Sequence, residues 1–276
     1  MTHAAATTVQ DHDNCALPLV RRVHALLGRD DSGLRVGDPL PRGWHFILFT
    51  PTDPQTIIGA DGTPRRGDSD APPELPRRMM GGRRFTFFSD IPIGANVTRT
   101  TQVLSRAEKS GRSGRFMIQT TRQLITVEGE SKPALQEDFD TLFRAPASAE
   151  PSGETGAPEP RRDADHRERV TFDETMLFRY SACTFNAHRI HYDHPYTTGV
   201  EGYPAVVVNA GLTVLMLREF GLRLNDMPLS SMTTRNGRPL YCGAPLTLCA
   251  KLTPDEIQLW AENDRRQICA EVTLRK

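Results

Sequence analysis

The sequence predicts an α+β protein in which antiparallel sheet wraps a buried helix, built from two units of similar size. Three observations carry that expectation. Residues 97–144 divide into strand-like runs separated by turn residues. Residues 205–220 are apolar nearly all round. Residues 145–169, rich in Ala, Pro, Glu and Gly, hold no large apolar side chain and cannot bury enough surface to offset their ordering entropy, so they read as an exposed linker.

The elements follow in order. Residues 33–82 are dense in Pro and Gly, which suits loops and edge segments. Residues 97–110, 114–129 and 134–144 carry β-branched and aromatic side chains, and Gly111-Arg112-Ser113-Gly114 and Glu128-Gly129-Glu130 supply turns between them, giving an antiparallel meander. After the linker, 175–185 reads as a strand. The run AVVVNAGLTVLMLREF at 205–220 is long enough to favour a buried helix over a strand. Strands are expected at 231–238, 246–252, 257–262 and 268–274, with Asn236-Gly237 and Glu262-Asn263-Asp264 as turn chemistry. A sheet that covers the helix with one face satisfies this order.

Composition narrows the function classes. The 276 residues suit two domains of about 100–200 residues each. Lys and Arg total 34, and Asp and Glu total 34, so net charge supplies no attraction to a nucleic-acid backbone. No apolar run approaches the ~20 residues that span a bilayer, and the first twenty residues lack the apolar core of a secretory signal. The five cysteines are odd in number, scattered and free of C-x-x-C pairs, which suits a reducing cytoplasm. Neither nucleic acid nor membrane is an expected partner.

The densest titratable group is Phe185-Asn186-Ala187-His188-Arg189-Ile190-His191-Tyr192-Asp193-His194, with three of the chain's eight histidines. Histidine moves protons in either direction near neutrality, and a neighbouring amide or carboxylate can hold its tautomer. The group precedes the buried helix, whose first N–H groups can receive a developing oxyanion. A metal site is disfavoured, because His-x-x-His on a non-helical turn lacks the logic of H-E-x-x-H. Cys183 reads as a small buried hydrophobe rather than a nucleophile. Arg77-Arg78 and Arg83-Arg84 read as solvated or paired charge, with phosphate contact as the alternative.

These residues resemble a known family. Leu177-Phe178-Arg179-Tyr180-Ser181-Ala182, Thr184-Phe185-Asn186-x-His188-Arg189-Ile190-His191-Tyr192-Asp193 and Glu201-Gly202-Tyr203-Pro204 resemble the mesaconyl-CoA and itaconyl-CoA hydratases, a branch of the MaoC-like, R-specific enoyl-CoA hydratases. Gly37-Asp38-Pro39-Leu40-Pro41, Gly43-Trp44-His45, Pro76-Arg77-Arg78-Met79 and Glu108-Lys109-x-Gly111-Arg112-Ser113-Gly114-Arg115 extend the likeness through the first half. The resemblance implies a double hot-dog fold, with units at 16–144 and 170–276 joined by the linker 145–169. The first unit lacks a His-rich loop, so its helix is expected to be short and the unit to serve as tunnel wall.

The resemblance also implies water addition across a 2-enoyl thioester, or its reverse, with His191 as acid/base and His188 and Asn186 beside it. Asn209, Ala210, Gly211, Tyr192, Asp193 and Arg189 are the implied substrate contacts. No metal and no cofactor are implied, and a homodimer is. Where the branch usually carries Val-Val-His-Gly-Pro at the helix start, this chain has Val207-Val208-Asn209-Ala210-Gly211. That difference keeps an alternative open, a biosynthetic dehydratase, isomerase or cyclase acting on a polyketide-like or terpenoid-like substrate, and a third in which the pocket binds an acyl group without turnover.

Overall fold

A computed structural model describes residues 8–30, 33–65, 72–75, 77–111, 114–145 and 158–276. Among the described residues, ten strands form one sheet. The first five are β1 (Val9–Asn14), β2 (Arg77–Phe87), β3 (Asn96–Gly111), β4 (Gly114–Val127) and β5 (Leu135–Arg144). The second five are β6 (His166–Thr171), β7 (Ser231–Asn236), β8 (Pro245–Leu252), β9 (Glu256–Glu262) and β10 (Ile268–Arg275). Their order is β1-β3-β4-β5-β2-β7-β10-β9-β8-β6. Counted inward from either edge, each half runs first, third, fourth, fifth, second strand, so the halves repeat one topology. They meet where β2 pairs with β7, from Arg83 opposite Thr234 to Thr86 opposite Ser231.

Among the described residues, four α-helices accompany the sheet: α1 (Leu17–Leu26), α2 (Glu174–Cys183), α3 (His194–Gly199) and α4 (Ala210–Leu224). The helix α4 is the central one of the second half. It buries Leu212, Leu215, Leu217 and Phe220 against β8, β9 and β10. Gly221 lets it lie close, because a Cβ there would stand 2.7 Å from Leu259 Cδ1. At the same place in the first half stands α1, ten residues against fifteen, and its chief helical partner is α2 rather than a covering position on the sheet.

Three sequence expectations need correction. Residues 175–185, read as a strand, form α2 instead. Asp173 caps the helix by accepting from the Met176 N–H at 2.7 Å, and Leu177, Tyr180 and Ser181 bury one face at helical spacing. The aromatic and apolar content suggested a strand, while the cap and the 3.6-residue period decided otherwise. The first half reaches back beyond residue 16, since Val9–Asn14 pairs with β3. Of the expected linker, 146–157 lies outside the described residues, and its last positions belong to β6, paired to β8 from His166 opposite Ala250 onward.

A buried charge cluster locks the halves together. Glu219 of α4 accepts from Trp44 Nε1 at 2.8 Å and Arg29 at 2.5 Å, and also pairs with Arg218. Arg218 in turn donates to the Arg42 carbonyl at 2.7 Å. Burial raises the Glu219 carboxyl pKa, but Arg218, the Trp44 N–H and Arg29 outweigh it and hold the group below its ordinary value. Removing one member of such a cluster leaves a buried charge uncompensated. Glu219→Gln is therefore expected to lower unfolding stability by about 3–5 kcal/mol, measured as a fall in urea midpoint with unchanged slope.

Candidate active site

The segment from α2 to α4 is held by a chain of short-range hydrogen bonds. The chain leaves α2 through Phe185, whose φ of 47° lies in the left-handed region. Asn186 N–H then returns to the Ser181 carbonyl at 2.9 Å. The Asn186 side-chain oxygen accepts from the His188 N–H at 3.0 Å, an Asx turn that aims the next residues. Arg189–His191 make one 3-10 turn. Arg189 Nε and Nη2 donate to Asp193 Oδ2 at 2.9 and 2.7 Å, while Asp193 Oδ1 caps α3 by accepting from the Tyr196 N–H.

His191 is the centre of the arrangement. It is 9% exposed, and its Nδ1 stands 2.8 Å from the Val207 carbonyl. A carbonyl only accepts, so Nδ1 carries the proton and Nε2 keeps its lone pair. Val207 N–H closes the exchange by donating to the Ile190 carbonyl at 2.8 Å. Burial lowers the His191 pKa to about 4, with the Val207 bond opposing and His188 adding to the fall. His188 lies with its ring centroid 5.4 Å away, edge to face. Burial lowers its pKa too, against the charges of Asp61 and Glu201.

The implied substrate contacts divide. Ala210 and Gly211 lie exposed at the start of α4, where the first N–H groups have no acceptor within the helix. Asn209 faces inward at 2% exposure; its Nδ2 donates to Ser181 Oγ at 3.3 Å, and its Oδ1 is buried without a partner. Arg189 and Asp193 are engaged with each other, and Arg189 also covers the Tyr196 ring. Tyr192 is exposed and donates to the Ala187 carbonyl at 3.2 Å. Among the described residues no three His, Cys, Asp or Glu side chains converge as metal ligands.

Sequence reasoning missed a contribution from the first half. A tight loop, bridged between Ile58 and Pro64, seats itself on the histidine turn. The Asp61 carbonyl accepts from Arg189 N–H at 2.8 Å, and the Ala60 carbonyl accepts from the Arg189 guanidinium at 2.9 Å. Burial raises the Asp61 carboxyl pKa, but the Thr63 N–H and hydroxyl, with His188 nearby, hold it below the usual range. Gly62 has φ +85° and approaches so closely that a Cβ would stand 1.9 Å from the Ala187 carbonyl oxygen. The Asp61-Gly62 pair signals a turn, but nothing in the sequence says against what the turn packs.

The sheet and central helix described above set the fold, and the comparisons with known proteins set the class, that of the thioester hydratases and dehydratases. The family described as hydroxyacyl-thioester dehydratase type 2 matches residues 43–242, and the chain belongs to it. It is 34% identical over 255 residues to a mesaconyl-C(4)-CoA hydratase of Chloroflexus aurantiacus, covering 92% of this chain and 90% of that one. It is 33% identical over 90 residues to the mitochondrial hydroxyacyl-thioester dehydratase type 2 of Schizosaccharomyces pombe, 32% of this chain and 29% of that protein. Among solved structures, a MaoC-like dehydratase from Phytophthora capsici superposes with a TM-score of 0.69 at 14% identity, covering 98% of this chain and 95% of that one. HtdX of Mycobacterium tuberculosis gives 0.65 at 18% identity, over 98% and 99%. The expected double hot-dog is thus the fold found, and the chain is a hydro-lyase.

Three outcomes follow from this geometry. The folded protein keeps His191 neutral down to about pH 4, whereas the unfolded chain protonates it near 6.5. Its contribution to stability is therefore complete above pH 6.5 and lost as pH falls through about 4. A base acting at this position should place the acid limb of kcat/KM near pH 4, not near 6.5, in a pH–rate profile. Gly62→Ala should displace the first-half loop from the histidine turn, lowering kcat by about tenfold or more while circular dichroism stays native.

Proposed function

We propose that the protein adds water to a 2-enoyl thioester, or removes it from the 3-hydroxyacyl product, with His191 Nε2 as the proton-transferring atom. The observation that carries this reading is the 2.8 Å bond from Nδ1 to the Val207 carbonyl. It presents an unprotonated Nε2 on a ring that burial keeps neutral. In the hydration direction, Nε2 takes a proton from water as the water oxygen bonds C3. The electron pair of the double bond moves toward the thioester carbonyl, whose oxygen meets the free N–H groups at the start of α4. The imidazolium, strongly acidic in this setting, then returns a proton to C2 of the enolate. His188 and Asn186 shape the turn, and the first half walls the pocket.

The substrate we propose is an acyl-CoA, with a branched dicarboxylic acyl group suggested by the likeness to the Chloroflexus aurantiacus hydratase. A biosynthetic dehydratase, isomerase or cyclase on a polyketide-like or terpenoid-like substrate is the second reading. It is favoured by Asn209, whose amide is buried against Ser181 and carries no proton that it can transfer near neutral pH. A homodimer in the cytoplasm completes the proposal. All five cysteines are free thiols, and Met79, Met80 and Leu104 leave apolar surface exposed on the first-half strands. No helix among the described residues is long and apolar enough to cross a membrane.

The test follows loss of the enoyl-thioester absorbance with mesaconyl-, itaconyl- and crotonyl-CoA. His191→Ala should reduce turnover by ~10²–10⁴-fold, the share of a positioned acid/base, and His188→Ala should reduce it less. Wild-type turnover surviving in His191→Ala would show that the base lies elsewhere. No hydration of any of the three thioesters by wild type would favour the second reading.

A further inference from the structure

The end of α2 carries a polar atom that the reaction described above leaves unused. Tyr180 is 5% exposed, and its ring stacks on Phe46 of the first half with centroids 5.5 Å apart. The phenol is thereby fixed in direction. Its oxygen reaches the start of α4 so closely that a Cβ on Gly211 would stand 2.1 Å from it. The adjacent residue, Ser181, binds both sides of the site. Its carbonyl accepts from Asn186 N–H at 2.9 Å, and its hydroxyl accepts from Asn209 at 3.3 Å. Tyr180 therefore sits on the element that joins the catalytic turn to the helix start.

Despite this placement, the Tyr180 hydroxyl hydrogen-bonds no other group among the described residues. A tyrosine hydroxyl in so enclosed a setting ordinarily finds a partner. Phenylalanine would fill the same space against Phe46 without the hydroxyl. The hydroxyl instead stands beside Gly211 in the first turn of α4, the turn whose leading N–H groups lack intrahelical acceptors. Burial raises the phenol pKa, with the Arg83 charge opposing, so the group keeps its proton and can donate it in a hydrogen bond.

We propose that the Tyr180 hydroxyl is a catalytic hydrogen-bond donor that, together with the backbone N–H groups at Ala210 and Gly211, holds the thioester carbonyl oxygen as negative charge develops on it. This rests on the thioester reading given above. It also explains why residue 211 is glycine. Any side chain there would push the phenol away from the oxyanion position.

The experiment compares wild type with Tyr180→Phe. On crotonyl-CoA, kcat should fall by ~10²–10³-fold, the usual effect of deleting one oxyanion donor, with a much smaller change in KM and an unmoved acid limb of the pH profile. Gly211→Ala, which displaces the hydroxyl while leaving it present, should reproduce the loss. A second readout needs no turnover. Acetoacetyl-CoA bound at an oxyanion site shifts toward its enolate, which absorbs in the near ultraviolet, and Tyr180→Phe should reduce the enolate fraction by about tenfold or more, some 1.4 kcal/mol. An unchanged kcat accompanied by lost thermal stability would mean that the hydroxyl serves the fold, through a partner such as Asn209 Oδ1, and would overturn the proposal. Equal enolate bands in the two proteins, or none in wild type, would overturn it as well. Wild type that gives the enolate band but hydrates no enoyl thioester would contradict the hydration reading alone, and the comparison of bands then decides the role of Tyr180.

Discussion

The bond between His191 Nδ1 and the Val207 carbonyl organises the site, because it joins two segments that the sheet alone would not align. One is the turn after α2, shaped by Asn186; the other is the extended approach to α4, where Val207 bridges to Tyr241 and Val208 N–H bonds the Leu240 carbonyl at 2.8 Å. With Val207 N–H donating back to Ile190, the two segments exchange a pair of bonds. The exchange buries the imidazole, selects its tautomer and sets its distance from the start of the helix. Burial in turn removes the charged form from the pH range near neutrality. In the proposed reaction, a base held this way is ready at pH 7 and becomes a strong acid once it takes a proton, which suits returning that proton to a carbon atom.

The two halves share a topology and divide the work. The second contains the long helix and the histidine turn. In the first, the groups near the β2–β5 pairing are polar: Glu137 pairs with Arg83 at 2.9 Å and lies 3.6 Å from His45. Burial raises the Glu137 pKa, yet His45 and Arg83 outweigh it and keep the carboxyl below its ordinary value. The first half also contributes the loop of Asp61 and Gly62, and the Trp44 indole that reaches Glu219 on α4. Relative movement of the halves would break the buried charge cluster and lift the loop from the histidine turn together. Sheet pairing between β2 and β7 opposes such movement along the whole seam.

Much of this was legible in the sequence, for identifiable reasons. The strands at 97–144 and 231–275 showed themselves because β-branched runs alternate with glycine-rich turns, and the apolar run at 205–220 fell on the central helix with a start five residues late, at Ala210. The first residues of that run are extended, as valines before a cap permit. His188 and His191 stood out by density, and the structure places them edge to face. The misreading of α2 came from weighing aromatic content above the Asp173 cap. Asp61, Gly62 and Trp44 were beyond reach as site components, since their partners lie more than a hundred residues away and no local pattern encodes such contacts. The inward turn of Asn209 was equally hidden, because it depends on Ser181 presenting its hydroxyl from a helix that the sequence presented as a strand.

The tautomer and charge of His191 can be observed directly by two-dimensional nitrogen–proton NMR on protein labelled with ¹⁵N at histidine, assigned by comparison with a His191 substitution. The account predicts a neutral ring carrying its proton on Nδ1 at pH 7, with no sign of protonation until the pH approaches about 4. A ring protonated on Nε2 at pH 7, or one that titrates near 6.5 as free histidine does, would contradict it.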